Sequence, residues 1–386
     1  MKYNFDEIIN RRNTNCVKWD RGQEDVLPMW VADMDFKAAT PILKAIEKKV
    51  EFGVFGYTLL SEEYYQAIID WWTRRHQWEL KKEWLVFSPG VVPSLKNIIE
   101  AFTKPGDKVL IQSPVYYPFY RVIKSNECEV VTSPLKLVNN KYEMDFEDLE
   151  KKLTEQEIKL FILCSPHNPG GRVWTKDELV KVGELCLKHG VLVVADEIHC
   201  DLVYKGYKHT PFGSISEEFA QNSITCVAPS KTFNLAGLTT SNIIIPNKTL
   251  KATVENVFES NEVSDANIFG IEALIAAYNE SEDWLEQLLK YLGENLEYLT
   301  KFFEENLPKL KVVKTEGTYL VWIDCRALGM NSEELTKFFL REAKVWFNDG
   351  KMFGADGEGF VRINVACPRE YITEGLTRIK KVYDKI

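Results

Sequence analysis

The chain has 386 residues, a formal net charge of -9, 45% hydrophobic and 12% aromatic residues. That length exceeds one ordinary core and predicts two domains. The acidic balance, with both signs interspersed, excludes a nucleic-acid footprint, and no run approaches the roughly 18 apolar residues that span a bilayer.

The opening Met1-Lys-Tyr-Asn-Phe-Asp-Glu has no apolar signal region, so a cytoplasmic protein is expected. The eight cysteines are scattered and none form a CxxC pair, so neither a metal site nor a disulfide framework is expected. Residues 1–30 read as an extended arm, broken by Asn13, Asn15, Asp20, Gly22 and Pro28. Trp30 to Phe36 reads as a polar-aromatic loop. Thr40 is read as an N-cap with Pro41 at the first helical position, and Ile42, Ala45, Ile46 and Val50 continue at helical spacing. Gly53-Val-Phe-Gly-Tyr57 reads as a flexible aromatic turn, and residues 61–78 as an amphipathic helix.

From there strands and helices alternate. Strands are predicted at 84–87, 108–112, 159–164, 191–195, 224–228 and 242–245. A helix is predicted at 177–189, with Gly190 as its stop. The strands are continuous apolar runs, which is how strands buried on both faces of a mainly parallel sheet read. Their alternation with helices predicts a doubly wound α/β domain. From 281 the pattern changes. Leu285, Leu288, Leu289, Leu292, Leu296, Leu299 and Phe303 stripe a helix of about six turns. Strands at 311–315, 318–324 and 359–366 and helices from 332 and 369 then predict a small α+β domain. The expected division is 47–285 for the large unit, and 1–46 with 286–386 for the arm and small unit.

In an open parallel sheet the C-terminal strand ends share one edge, and ligands bind there. At those ends stand Gly90-Val91-Val92, Tyr116, Asn168, Asp196 and Lys231. Glycine and free N–H groups at a helix start suit a phosphate. Tyr116 offers a flat ring, Asn168 an amide, Asp196 a carboxylate. Lys231 follows the apolar run Ile224 to Ala228, and a lysine in an apolar pocket has a lowered pKa. Each residue alone also suits a turn, a cap or a core. Together, with Ser230 beside the lysine, they fit pyridoxal 5′-phosphate. Lys231 would bond its aldehyde, Asp196 would keep the pyridine nitrogen protonated, and Asn168 would bond the ring's 3-hydroxyl oxygen. In Phe360-Val-Arg-Ile-Asn-Val-Ala366, alternation puts Arg362 and Asn364 on one face, toward the cleft between the domains. A guanidinium there can hold a substrate carboxylate through two parallel hydrogen bonds.

Six stretches resemble the fold-type I, class I/II pyridoxal-phosphate enzymes, and within them the MalY/PatB-type carbon–sulfur lyases. They are Asp33-Met-Asp-Phe36, Gly53–Tyr57, Ser165-Pro-His-Asn-Pro-Gly-Gly-Arg-Val-Trp174, Asp196-Glu-Ile-His199, Ala228-Pro-Ser-Lys-Thr-Phe-Asn-Leu-Ala-Gly-Leu238 and Gly359–Arg369. The resemblance implies a homodimer in which Tyr57 reaches the partner subunit's phosphate. It implies catalytic roles for Lys231, Tyr116 and Asp196. It places Arg362 on the substrate α-carboxylate, with Asn364, Tyr57 and Asp33 on the substrate side. The implied reaction is β-elimination from cystathionine or another cysteine S-conjugate, giving a thiol, pyruvate and ammonia. An aminotransferase of the same fold and a non-catalytic regulatory relative are the alternatives. Many aminotransferases bind the phosphate through an arginine eight residues after the lysine. Here Thr239 stands there, so the phosphate must rely on Gly90–Val92, Ser230 and Tyr57.

Overall fold

The computed structural model describes residues 1–263 and 265–385. Its centre is a seven-stranded sheet of β1 (Leu85–Ser88), β2 (Lys108–Ser113), β3 (Glu129–Pro134), β4 (Ile158–Cys164), β5 (Leu192–Asp196), β6 (Ser223–Val227) and β7 (Ser241–Ile244). The strand order is β1-β7-β6-β5-β4-β2-β3. All neighbouring pairs are parallel except those of β7, which runs against both β1 and β6. The mixed, mainly parallel sheet of the sequence reading is therefore present.

Burial explains why these strands read as unbroken apolar runs. Val109, Ile111, Leu160, Ile162, Val194 and Ile224 pack on one face with helix α3 (Val91–Phe102). Leu110, Phe161, Leu163, Val193 and Ala195 pack on the other with helix α4 (Lys176–Lys188). With both faces covered, the strand interiors read as near-continuous apolar runs. Gly190 follows α4 with φ +65°, the left-handed turn that favours glycine.

Helix α1 (Thr40–Phe52) corrects one expectation. Thr40 is its first residue rather than its cap; the cap position is Ala39, which makes no side-chain bond. Pro41 supplies the start instead, its fixed φ being already helical. Helix α2 (Glu62–His76) is capped by Ser61 and buries Trp71 and Trp72. A four-residue helical turn, α5 (Pro229–Thr232), carries Lys231. Helix α6 (Ile268–Glu280) leads into the long α7 (Glu282–Asn306), whose 25 residues make about seven turns, one more than expected.

The small sheet is antiparallel: β8 (Lys311–Val312), β9 (Leu320–Asp324), β10 (Asn348–Asp349) and β11 (Phe360–Asn364), in the order β8-β9-β11-β10. The strands expected at 311–315, 318–324 and 359–366 are all shorter. Thr318, with φ +66°, interrupts the second of them. Helix α8 (Arg369–Tyr383) closes the chain. The helix from 332 is short, Ser332–Thr336, and runs into a wider π turn at Lys337–Glu342.

All eight cysteines are free; seven are buried and Cys16 is half-buried. Residues 50–59 present apolar side chains to solvent, including Phe52, Val54, Phe55 and Leu59. No described helix is long and apolar enough to cross a membrane.

Candidate active site

A cavity of about 210 Å³ opens at the sheet edge where β1, β2, β4, β5 and β6 end. Gly90, Val91, Val92, Tyr116, Asn168, Asp196, Ser230 and Lys231 line it, so these eight residues predicted from strand ends do converge.

At the end of β1, the Ser88 and Ser94 hydroxyls both donate to the Gly90 carbonyl, at 3.1 and 2.9 Å. The peptide is planar and trans, so the Val91 N–H points away from that carbonyl. It stands at the first turn of α3, where the backbone N–H groups have no partner within the helix. Thr239 and Thr240 line the same region. They precede β7, and because β7 is antiparallel its N-terminal end joins the other strands' C-terminal edge. Gly270 on α6 lets this loop approach: a Cβ there would lie 1.9 Å from Thr240 Oγ1. Among the described residues Lys231 is the only cationic one in the cavity lining. An anion here is met by neutral donors.

Lys231 stands just past β6 and donates from Nζ to the Ala32 carbonyl at 2.7 Å. Burial, then the nearby Arg362 guanidinium, lowers its pKa to about 8, against smaller upward pulls from Asp33 and Asp196. Only the neutral amine attacks an aldehyde. The rate at which the cofactor-free protein captures pyridoxal 5′-phosphate should therefore rise with pH and level off above about 8, rather than climb on toward 10.5. Stopped-flow absorbance across that range checks this.

Asp196 ends β5 and is 3% exposed. One oxygen accepts from the Ile198 N–H at 3.2 Å. Burial pushes its pKa up to about 7, although the Ile198 N–H and Lys231 pull it down. Among the described residues no cation forms an ion pair with it. A buried carboxylate in this state is stabilised by a cationic N–H placed in the cavity.

Asn168 accepts at Oδ1 from Arg362 Nη1 at 3.0 Å, leaving its amide nitrogen as a donor. Arg362 is 3% exposed and is held by neutral groups: Asn168, the Trp30 carbonyl at 3.1 Å and Asn348 Oδ1 at 2.6 Å. Its Nε has no partner, and burial lowers its pKa to about 10. A buried guanidinium without a carboxylate is suited to binding one. Tyr116 is neutral, its phenol pushed up to about 12 by burial and the adjacent Tyr117. An amine, a carboxylate, an amide, an aromatic face and a helix start thus meet at one cavity. The uncompensated Asp196 and the unpartnered Arg362 Nε are the features a pyridinium and an amino-acid carboxylate would satisfy.

Four predicted residues lie outside the cavity lining; Arg362 is one, though it reaches the site through its bond to Asn168. Asn364 faces the same way as Arg362, but its side chain is used up. Nδ2 donates to the Val31 and Asp33 carbonyls at 2.5 and 2.6 Å, and Oδ1 accepts from the Ala366 N–H. It holds the 30–36 loop and does not line the cavity. Asp33 is paired with Arg11 at 2.8 Å and also lies outside the lining. Tyr57 is fully exposed on the 53–60 segment, away from the chain's own cavity.

The sequence reading missed His199 and the Thr239–Thr240 pair. His199 lines the cavity, and burial with the nearby Lys231 and Arg362 lowers its pKa to about 3, so it is neutral. Its position three residues beyond Asp196 was the available signal. Behind the site, Asp201 accepts from His76 at 2.8 Å and from Thr232, the neighbour of Lys231, at 2.9 Å.

Comparison with known proteins shows the family. The family described as aminotransferase class I and II matches residues 24–379. Cystathionine beta-lyase PatB of Bacillus subtilis (strain 168) is 44% identical over 382 residues, covering 98% of this chain and 99% of that protein. The crystal structure of cystalysin from Treponema denticola, which contains pyridoxal 5′-phosphate, superposes with a TM-score of 0.97 at 40% identity over 100% of both chains. A PLP-bound protein of Clostridium difficile 630, assigned by inference as an aminotransferase, superposes with a TM-score of 0.97 at 47% identity, covering 99% of this chain and all of that one.

Proposed function

This chain belongs to the class I and II aminotransferase family, and from that premise we propose that it is a pyridoxal-phosphate-dependent carbon–sulfur β-lyase. It cleaves cystathionine or other cysteine S-conjugates to a thiol (homocysteine from cystathionine), pyruvate and ammonia. The observation that carries this reading is 44% identity, over nearly the whole of both chains, to a cystathionine beta-lyase, joined to a cavity where Lys231, Asp196 and Asn168 meet beside Arg362.

Bound pyridoxal phosphate supplies an electron sink for the substrate's α-carbon. The chain's residues do the rest. Arg362 holds the α-carboxylate through its unpartnered Nε. Asp196 would keep the ring nitrogen protonated, and the Asn168 amide nitrogen would donate to the ring hydroxyl oxygen. Tyr116 would offer its aromatic face to the ring. Gly90–Val92, Ser230 and the two threonines would hold the phosphate. Lys231, its pKa lowered to about 8, takes the α-proton in its neutral form and then delivers a proton to the departing sulfur. A thiolate, with a parent pKa near 8.5, is a good leaving group.

The test is substrate choice. Cystathionine should yield pyruvate, ammonia and a thiol with no added keto acid. Arg362→Ala should raise KM for every amino-acid substrate by roughly 30- to 100-fold, the equivalent of about 2–3 kcal/mol for a buried charge-assisted contact. Pyruvate formed only when a keto acid is supplied, or alanine and aspartate transaminated faster than any thioether is cleaved, would favour the aminotransferase reading. The family name and the Clostridium difficile neighbour's assignment point toward that alternative.

We assign the active unit as a homodimer, with 47–285 as the large unit and 1–46 with 286–386 as the arm and small unit. The exposed apolar run of 50–59 supports the dimer. In it Tyr57 completes the neighbour's phosphate site. Mixing inactive Tyr57→Phe and Lys231→Ala proteins should restore part of the activity, because a mixed dimer has one intact site. No recovery despite demonstrated subunit exchange would remove Tyr57 from the shared site. Free cysteines throughout support a reducing, cytoplasmic setting.

A further inference from the structure

The loop of residues 30–34 is held by its carbonyls. Trp30 accepts from Arg362, Val31 and Asp33 from Asn364, and Met34 from Arg11 and Asn234. The middle carbonyl, Ala32, is different. It accepts from Lys231 Nζ at 2.7 Å and from the Tyr319 hydroxyl at 3.0 Å. A carbonyl oxygen has two lone pairs, so these two donors fill it.

We propose that Tyr319 is a positioning residue for the elimination: by sharing the Ala32 carbonyl, it fixes where the free Lys231 amine sits and limits how strongly that carbonyl can bind it. The inference rests on Lys231 as the proton carrier. Nζ must be free of the cofactor to take the α-proton, and the Ala32 oxygen is then its seat. The acceptor density drawn by the Tyr319 O–H is not available to the lysine. The weaker bond leaves the ammonium form less favoured and the amine ready to accept a proton. Tyr319 suits this task because it is 1% exposed, just before β9, with its ring edge-to-face on His199 at 6.1 Å. Burial pushes its phenol up, so it remains a donor throughout the working range. The other charged or titratable groups facing Lys231 are Arg362 from β11, Asp33 from the N-terminal loop, Asp196 from β5, His199 beyond it and Tyr116 across the cavity.

The test is Tyr319→Phe, which keeps the ring and removes one hydroxyl; the remaining bonds to 30, 31, 33 and 34 keep the loop in place. In the holoenzyme, kcat should fall roughly tenfold to a hundredfold with KM within about twofold, the mark of a misplaced proton carrier. The primary isotope effect with α-deuterated substrate should rise. In the cofactor-free protein, the pH profile for capture of pyridoxal 5′-phosphate should move alkaline, since Lys231 then has the carbonyl to itself. A fluorotyrosine at 319, a stronger donor of nearly the same shape, should move that profile the other way. Wild-type kinetics and an unmoved profile in both proteins would overturn the proposal. So would a fall in kcat with unchanged isotope effect and profile, which marks a purely structural role. If borohydride fixes the cofactor to a lysine other than 231, the underlying reading fails instead.

Discussion

Lys231→Ala protein should lose at least about 10,000-fold in turnover, the upper end of what positioned acid–base groups contribute. It should also take up no borohydride-fixed cofactor. Two independent demands fall on this side chain. On the proposed reading it bonds the aldehyde and moves two protons, one from the α-carbon and one to the sulfur. No other lysine can substitute, because among the described residues the cavity lining contains no second cationic one. Peptide mapping after borohydride reduction of the wild-type protein should find the label on Lys231 alone. A label elsewhere, or turnover in the variant within a few fold of wild type, would refute the assignment.

Asp196→Ala should be the second most damaging change. Removing one partner of a buried charge pair costs about 3–5 kcal/mol, and expressed on the barrier this is roughly a hundredfold to a few thousandfold in turnover. The variant should still bind cofactor through the phosphate cradle and Lys231. A stability measurement separates this role from a structural one. In the cofactor-free protein, burial raises the Asp196 pKa from 3.8 to about 7. The folded state thus holds a proton that the unfolded state has released. Its stability should decline as pH rises from 3.8 toward 7, and Asp196→Ala should remove that decline. Thermal unfolding as a function of pH reads both. Turnover within about tenfold of wild type, about 1.4 kcal/mol, would rule Asp196 out as the pyridinium partner.

The residues that were legible share one cause. Lys231, Asp196, Asn168, Tyr116 and Gly90 follow apolar strands, and parallel strands deliver their C-terminal ends to one edge. Arg362 was legible through strand alternation. Alternation could not say what lay opposite Asn364, because a backbone loop some 330 residues away occupies that space. Asp33 looked free in sequence, yet it is claimed by Arg11, 22 residues earlier. The threonines were hidden by the reversed direction of β7, which places a strand's beginning where only endings were sought. Tyr319 gave no local signal at all, since its hydroxyl acts on a carbonyl 287 residues distant. Tertiary neighbours of this kind leave no periodicity in the chain.

The buried cysteines bear on how the protein withstands its own chemistry. Each β-elimination releases a thiol, which is both a reductant and an exchange partner for sulfur. Thiol–disulfide exchange requires an accessible sulfur and a thiolate. Seven of the eight sulfurs are buried, and burial pushes Cys164, Cys186, Cys200, Cys226, Cys325 and Cys367 up, so they stay protonated. The described residues contain no bridge whose reduction could loosen the fold. An accumulating product can therefore alter the redox state of its surroundings while finding almost nothing to react with in the catalyst that made it.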